Sequence, residues 1–202
     1  MRAFLIGVII GILLLGGGVY FYFVSGRAPA AVEDKPMPFE RKLANGALHA
    51  HIDKQMPGST SIAANEETYL AGAQIYSQHC GICHGFPGLE QGAMSKGMFP
   101  KPPQLFKGKG VTDDPAGESY WKVSNGIRLS GMPEFKHILN DTQIWQVSLL
   151  LANADKISDA VKQQLKPGMP STEETGSMPP MSTAPRNAGK VPRKPGSPPP
   201  TH

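Results

Sequence analysis

Both cysteines of this 202-residue chain fall within residues 80–84, where the order is Cys-Gly-Ile-Cys-His. At a helix end, two thiols at this spacing can each add to one vinyl group of a porphyrin, while the imidazole of His84 turns onto the iron. The spacing therefore predicts covalent attachment of a c-type haem through Cys80 and Cys83. Because a cofactor bonded to the chain cannot dissociate, the chain must fold around it.

Two other kinds of site use the same residue types. A thioredoxin-like dithiol follows a strand in a βαβ pattern, yet the residues before Cys80 have a helical pattern and no run of parallel strands surrounds them. A Cys2His2 zinc site needs a second histidine, and the next one downstream, His137, lacks the paired spacing of such sites. Haem attachment is the favoured interpretation, with the dithiol and the zinc site as alternatives.

A haem bound on one side by His84 either has an open face or needs a second axial ligand, for which methionine suits an electron carrier. Three of the nine methionines lie in a suitable part of the chain: Met94, Met98 and Met132. Met132 stands between a glycine, which lets the backbone approach a flat cofactor, and a proline, which favours an extended conformation before it. Met132 is therefore the predicted distal ligand, and filling of the core is the preferred role for the other two.

Four segments carry a resemblance to a known family. They are the motif at 80–84, Pro-Lys-Pro-Pro at 100–103, Tyr-Trp-Lys-Val-Ser-Asn-Gly-Ile at 120–127 and Gly-Met-Pro at 131–133. In this order they resemble the class I cytochromes c, which carry one haem with histidine and methionine as axial ligands. The resemblance covers residues 65–165 and implies a small all-α domain with the cytochrome c fold, wrapped around one covalent haem c.

The resemblance also implies roles for particular residues. Cys80 and Cys83 would be the thioether anchors, His84 the proximal ligand and Met132 the distal ligand. In such proteins a backbone carbonyl from the proline-rich loop accepts the proximal imidazole N–H, so residues 100–103 are expected to supply that carbonyl. With both axial positions filled, the iron has no position for a substrate, and an electron carrier rather than an enzyme is expected.

Local capping signals predict three helices without reference to any family. Asn65 precedes two glutamates and can cap the first helix, while Asp114 and Pro115 are typical of the N-cap and first residue of a second. Asn140, with Gln143 three residues later, has the pattern of a capping box and opens the third. The resemblance further implies that the first and third helices cross at a glycine of the first.

The first 24 residues predict a transmembrane anchor. Residues 3–24 carry no charge and are flanked by Arg2 and Arg27, so they are long enough to span a bilayer and longer than the apolar part of a signal peptide. Small residues at 28–30 keep a cleaved signal peptide as the alternative. In the resembled proteins haem is attached outside the cytoplasmic membrane, so a single-pass protein with its haem domain in the periplasm is expected.

Two polar segments flank the predicted domain. Residues 25–64 are predicted to be a flexible linker in which 39–55 could form a short helix. Residues 166–202 are rich in Pro, Gly, Ser and Thr and are predicted to be a disordered tail. The formal net charge is +4, but basic and aromatic residues are not interleaved, so no nucleic-acid partner is expected.

Together these features predict one-electron transfer by a membrane-anchored monohaem cytochrome. The expected partners are the membrane and redox proteins: a quinol-oxidising complex or periplasmic dehydrogenase as donor and a terminal oxidase as acceptor. One alternative is a cytochrome subunit fixed in a dehydrogenase or oxidase complex. Another is a haem enzyme or gas sensor in which Met132 is displaceable.

Overall fold

A computed structural model describes residues 1–167. Nearly all of the predicted disordered tail, 166–202, lies outside this range. No strand occurs in residues 1–167, so the prediction of an all-α fold is confirmed. The helices are α1 (Arg2–Val24), α2 (Glu40–Gln55), α3 (Glu66–Ile75), α4 (Gly81–His84), α5 (Ala93–Lys96), α6 (Ala116–Asn125), α7 (Asp141–Ala152) and α8 (Asp159–Gln164).

Helix α1 is long and apolar enough to cross a membrane. It carries no charged residue after Arg2, and none of its most apolar part is buried against the rest of the chain. Its 23 residues span about 35 Å at 1.5 Å per residue, slightly more than the hydrocarbon core of a bilayer. The predicted transmembrane helix therefore has a physical counterpart in α1.

Side-chain caps begin α3 and α7 where the sequence predicted them. The Asn65 side chain accepts a hydrogen bond from the Thr68 backbone N–H at 2.9 Å. Asn140 and Gln143 form the complete capping box, with reciprocal bonds of 2.9 and 3.0 Å. Each cap satisfies amide groups that have no partner within the first helical turn.

Helix α6 begins one residue later than predicted. Pro115 has an extended backbone with ψ of 137°, so it is the N-cap residue and Ala116 opens the helix. Asp114 makes no side-chain capping bond there. Proline restricts the residue before it to extended conformations, which keeps Asp114 outside the helix as well.

Helices α3 and α7 cross at Gly72. A side chain at this position would put its Cβ 2.8 Å from the backbone carbonyl carbon of Gln146 and 3.1 Å from Cβ of Leu150. The glycine therefore lets the two backbones approach closely, as the resemblance implied. This crossing organises a single apolar core: Ala73, Ile75, Tyr76, Val123, Phe135, Leu139, Ile144, Val147, Leu150, Leu151, Ile157, Val161 and Leu165.

Helix α8 closes this core and was not predicted. Ser158 caps it by accepting a hydrogen bond from the Val161 backbone N–H at 3.2 Å. Val161 and Leu165 are both buried against the cluster. Their spacing of four residues puts them on the same side of the helix.

Helix α2 lies within the segment predicted to be a linker and packs against α6. Ile52 is fully buried, and the indole N–H of Trp121 donates to the side-chain oxygen of Gln55 at 3.1 Å. The ring of His51 meets the Trp121 ring edge-on, with 5.6 Å between centroids. The chain after α2 is also held close, because a Cβ on Gly117 would overlap the Pro57 carbonyl. Part of residues 25–64 is therefore docked on the domain that follows.

Candidate functional site

The motif at residues 80–84 lies at the C-terminal end of α3, on a short helical turn of its own. Helix α3 continues into a wider π-helical turn, Tyr76–Cys80, and α4 follows directly. Cys80 is the N-cap residue of α4, while Cys83 and His84 are its last two residues. Both cysteines are free and half-buried. The structure thus brings the two thiols and the imidazole together on one turn.

His84 is oriented by the proline-rich segment. Its Nδ1 lies 2.9 Å from the backbone carbonyl oxygen of Pro103. Because that oxygen can only accept, Nδ1 carries the proton and Nε2 keeps its lone pair for a metal. Burial lowers the pKa of His84, against the opposing effect of the Pro103 hydrogen bond, so the neutral ring, the form that can bind a metal, is favoured. The resemblance implied that a backbone carbonyl from residues 100–103 accepts the imidazole N–H of His84, and Pro103 supplies it.

The surroundings of Cys80 differ from those of a redox-active dithiol. Burial, and secondarily the neighbouring Cys83, raises the pKa of the Cys80 thiol to about 12. Thioredoxin-like motifs instead lower the pKa of a cysteine so that a thiolate is available to attack. The motif also follows a helix rather than a strand. These observations argue against the dithiol alternative.

The zinc alternative finds no support in residues 1–167. Within that range no three His, Cys, Asp or Glu side chains are grouped so that they could hold a metal ion. His137 is engaged elsewhere, because its Nε2 lies 2.9 Å from a carboxylate oxygen of Glu134.

Met132 lies in a turn closed by short-range hydrogen bonds. The Met132 N–H donates to Oγ of Ser130 at 3.1 Å, and that hydroxyl donates to the Ile127 carbonyl at 2.6 Å. The Ile127 N–H returns a bond to the Met132 carbonyl at 3.1 Å. Met132 is half-buried and packs against the core cluster, as Cys80 does. The structure therefore presents the thioether from a defined loop on the same core.

Two further methionines lie close to these residues. The Met98 side chain occupies the space beside Gly131, where a Cβ would stand 3.4 Å from its sulfur. The Met94 sulfur is 4.0 Å from the Cys83 sulfur, and Met94 is 57% exposed. The interpretation of Met94 as a core-filling residue is therefore wrong, because its side chain faces solvent beside the motif.

Buried hydrogen bonds that sequence reasoning missed hold the backbone around the motif. The Tyr76 hydroxyl donates to the Gly85 carbonyl at 2.7 Å, and Tyr76 is fully buried. The Cys83 carbonyl accepts from the hydroxyl of Ser95 and from the side-chain amide of Gln91. The only sequence signal for Tyr76 was its place on the first helix, and Ser95 and Gln91 had none.

The residues present fit a covalently attached haem. Two free thiols can form the thioether bonds, and the fixed imidazole offers Nε2 to the iron. The rings of Phe86 and Phe106 pack edge-on against Tyr76 at 6.1 and 5.0 Å, which gives an apolar wall next to the motif. This donor set in an all-helical domain defines a c-type cytochrome.

Comparison with known proteins places this domain in the same class. Residues 67–151 match the family described as cytochrome C oxidase, cbb3-type, subunit III. No curated protein and no solved structure matched the chain. Residues 67–151 therefore belong to a c-type cytochrome domain, which binds haem c and its iron covalently. The predictions of family, fold class and cofactor are confirmed.

Proposed function

We propose that this protein transfers single electrons as a membrane-anchored monohaem cytochrome, with Cys80 and Cys83 bonded to the haem and His84 and Met132 as axial ligands. The observation that carries the proposal is the hydrogen bond from His84 Nδ1 to the Pro103 carbonyl, which orients the ring and leaves Nε2 for iron. Both residues of this hydrogen bond, His84 and Pro103, lie inside the range that matches a cytochrome family.

The bound haem supplies a one-electron change of iron oxidation state. The chain contributes the rest: the thiols hold the group in place, Pro103 fixes the imidazole, and the 127–132 turn presents a thioether. If Met132 also bound the iron, no coordination site would be left for a substrate. This supports an electron carrier rather than a haem enzyme.

The proposed location is the cytoplasmic membrane, with α1 as a single-pass anchor and the haem domain in the periplasm. Support comes from α1, which has the length and polarity of a membrane span. The proposed donor is a quinol-oxidising complex or a periplasmic dehydrogenase, and the proposed acceptor is a terminal oxidase.

A second candidate is favoured by the matching family, which is described as an oxidase subunit. In this case the chain would be a fixed cytochrome subunit of an oxidase complex. Extraction of native membranes with a mild detergent separates the two. Stoichiometric copurification with oxidase subunits would support the fixed subunit, and recovery of the cytochrome by itself would support the mobile carrier.

Optical spectroscopy tests the axial ligands. The oxidised holoprotein is expected to show the weak far-red band of iron bonded to methionine sulfur, and the reduced form is expected not to bind carbon monoxide rapidly. Met132→Ala should abolish the band and open the iron to carbon monoxide. Rapid binding by the wild-type protein would instead support the haem enzyme or gas sensor.

Met98→Ala is the matched control, because Met98 touches the same loop at Gly131. It should retain the far-red band. Loss of the band in Met98→Ala and its retention in Met132→Ala would transfer the role of distal ligand to Met98.

A further inference from the structure

We propose that Ser95 and Gln91 are positioning residues that set the reduction potential of the haem by fixing the proximal hydrogen bond between His84 and Pro103. This inference rests on the proposed function, since it takes His84 as the iron ligand. Neither residue is named by the family comparison, and neither was singled out by the sequence.

The Cys83 carbonyl accepts two hydrogen bonds from side chains outside α4. It belongs to the last turn of α4, where carbonyl groups have no N–H donor within the helix and need a donor from elsewhere. It receives two: the Ser95 hydroxyl at 2.5 Å and the Gln91 side-chain amide at 3.1 Å. Ser95 is fully buried and Gln91 is only 7% exposed, so water does not compete freely for these bonds.

Gln91 also makes a hydrogen bond to the proline-rich segment. The same amide nitrogen donates to the Pro102 carbonyl at 2.8 Å. Cys83 directly precedes His84, and Pro102 directly precedes Pro103. Gln91 therefore ties together the two backbone segments whose next residues form the proximal hydrogen bond, and its bonds run alongside that bond.

The orientation of the Gln91 amide is fixed by its partners. Both groups it meets are carbonyls, which only accept, so the amide must present its two N–H groups to them. The opposite orientation would place three oxygen acceptors together. Ser95 adds a second donor to one end of this bridge, and together these two side chains form what we call the carbonyl clamp.

The carbonyl clamp has a consequence for the haem. Hydrogen bonding of Nδ1–H to a carbonyl raises the basicity of the imidazole and favours the more positive, ferric iron. A bridge that keeps the Pro103 carbonyl at 2.9 Å from Nδ1 maintains this effect. Loss of the Gln91 bridge lets the segments at Cys83 and Pro102 separate. The hydrogen bond between His84 and Pro103 then weakens, which favours ferrous iron.

The test compares two buried serines that make the same kind of hydrogen bond in different parts of the domain. Ser95 donates to the Cys83 carbonyl at 2.5 Å, and Ser148 donates to the Ile144 carbonyl within α7 at 2.7 Å. Both are fully buried. Ser95→Ala and Ser148→Ala therefore remove the same atom from the same kind of contact, next to the proximal ligand in one case and within a core helix in the other.

Redox titration of the purified holoproteins is expected to give a higher midpoint potential for Ser95→Ala, by up to about tenfold in the equilibrium constant for reduction, or about 59 mV for one electron. Gln91→Met, which keeps the bulk and removes the donors, should shift the potential in the same direction and further. Ser148→Ala should keep the wild-type potential while its melting temperature falls. Solvent exchange of the His84 ring N–H should be faster in the two clamp variants only.

Wild-type potentials in Ser95→Ala and Gln91→Met, with melting temperatures lowered as in Ser148→Ala, would show that the clamp is merely structural and would overturn the inference. A lowered potential would overturn it too. If Gln91→Met does not yield holoprotein, Ser95→Ala decides. Failure of the proposed function has a different signature: wild-type protein without covalent haem, or without a histidine-ligated iron.

Discussion

The proximal and distal sides of the haem site are held in different ways. On the proximal side, buried side chains from separate segments hold the backbone around His84. Tyr76 donates to the Gly85 carbonyl, and Gln91 and Ser95 donate to the Cys83 carbonyl. On the distal side, Met132 is held by bonds that stay within residues 127–132. Leu129 in that turn is 92% exposed and has a positive φ of 60°, a conformation that is costly for leucine.

The contrast indicates that the proposed proximal ligand, His84, depends on tertiary structure, and that the proposed distal ligand, Met132, depends on a local turn. A change on the proximal side should therefore affect the stability of the whole domain. A change in the distal turn should mainly affect access to the iron. Three predictions test this difference, and a fourth concerns a contact outside both ligand regions.

The largest effect is expected from Cys80→Ala combined with Cys83→Ala. About a hundred residues make a small core, and the bound porphyrin supplies apolar area that side chains would otherwise have to provide. We expect the double variant to lack stable helix content in the 65–165 domain, as measured by circular dichroism on a soluble fragment and on the full chain. A cooperative thermal transition of the variant would contradict this expectation.

Tyr76→Phe is expected to lower the free energy of unfolding by about 1–3 kcal/mol, the cost of leaving the buried Gly85 carbonyl without its donor. Denaturant unfolding of the holoprotein measures it. Tyr69→Phe is the control, because it removes the same atom from a half-buried tyrosine of α3, two turns before Tyr76. An equal loss of unfolding free energy in both variants would mean that the hydrogen bond from Tyr76 to Gly85 does not stabilise the domain more than an ordinary tyrosine hydroxyl does.

Ser130→Ala is expected to cost less stability, about 0.5–1.5 kcal/mol, since the hydroxyl is only half-buried. Its clearer effect should be on ligand access, because the turn that presents Met132 is loosened. Carbon monoxide should bind the reduced variant faster than it binds wild type, whereas Tyr76→Phe should bind it at the wild-type rate. Faster carbon monoxide binding by Tyr76→Phe, with a wild-type rate for Ser130→Ala, would contradict the proposed difference between the two sides.

The smallest effect is expected at high pH, from a contact outside both ligand regions. The Tyr120 hydroxyl on α6 donates to the Asp141 carboxylate at the start of α7. That bond, followed by burial, raises the pKa of Tyr120 from 10.0 to about 12. Between these values the folded state keeps a proton that the unfolded state loses, so stability falls as the pH rises through this interval.

Tyr120→Phe removes this contribution. Unfolding measured at several pH values from 9 to about 12 should therefore show a shallower loss of stability for the variant than for wild type. Tyr69 and Tyr76, whose pKa values are also raised by burial, are present in both proteins and cancel in the difference. Parallel curves for the two proteins would show that the Tyr120–Asp141 bond does not couple to folding.

The features that the sequence predicted correctly are local ones. The Asn65 cap and the Asn140 capping box each involve residues three positions apart, so the pattern and the contact are visible together. The motif at 80–84 is likewise contiguous. Such signals predict the helices and the class of cofactor.

The features that were missed depend on tertiary structure. Gln91 and Ser95 lie in a polar stretch that has no distinctive pattern, and their importance comes from carbonyls 8 to 12 positions away in the chain. The docking of α2 depends on Ile52 and Trp121, which are far apart in sequence, and the polar composition around Ile52 is typical of a linker. No period or motif connects such residues before the fold brings them together.

The docking of α2 also fixes how far the haem domain can move from the membrane. With the whole of 25–64 free, about 40 residues would allow the domain to travel up to about 140 Å from the end of α1. With α2 seated on α6, only residues 25–39 lie between the end of α1 and the docked helix, about 15 residues that extend to at most about 50 Å. With α1 in the bilayer, the haem domain would thus stay within this shorter distance of the membrane surface. Partners embedded nearby would meet it at an effective concentration about four times higher than a tether of full length would allow.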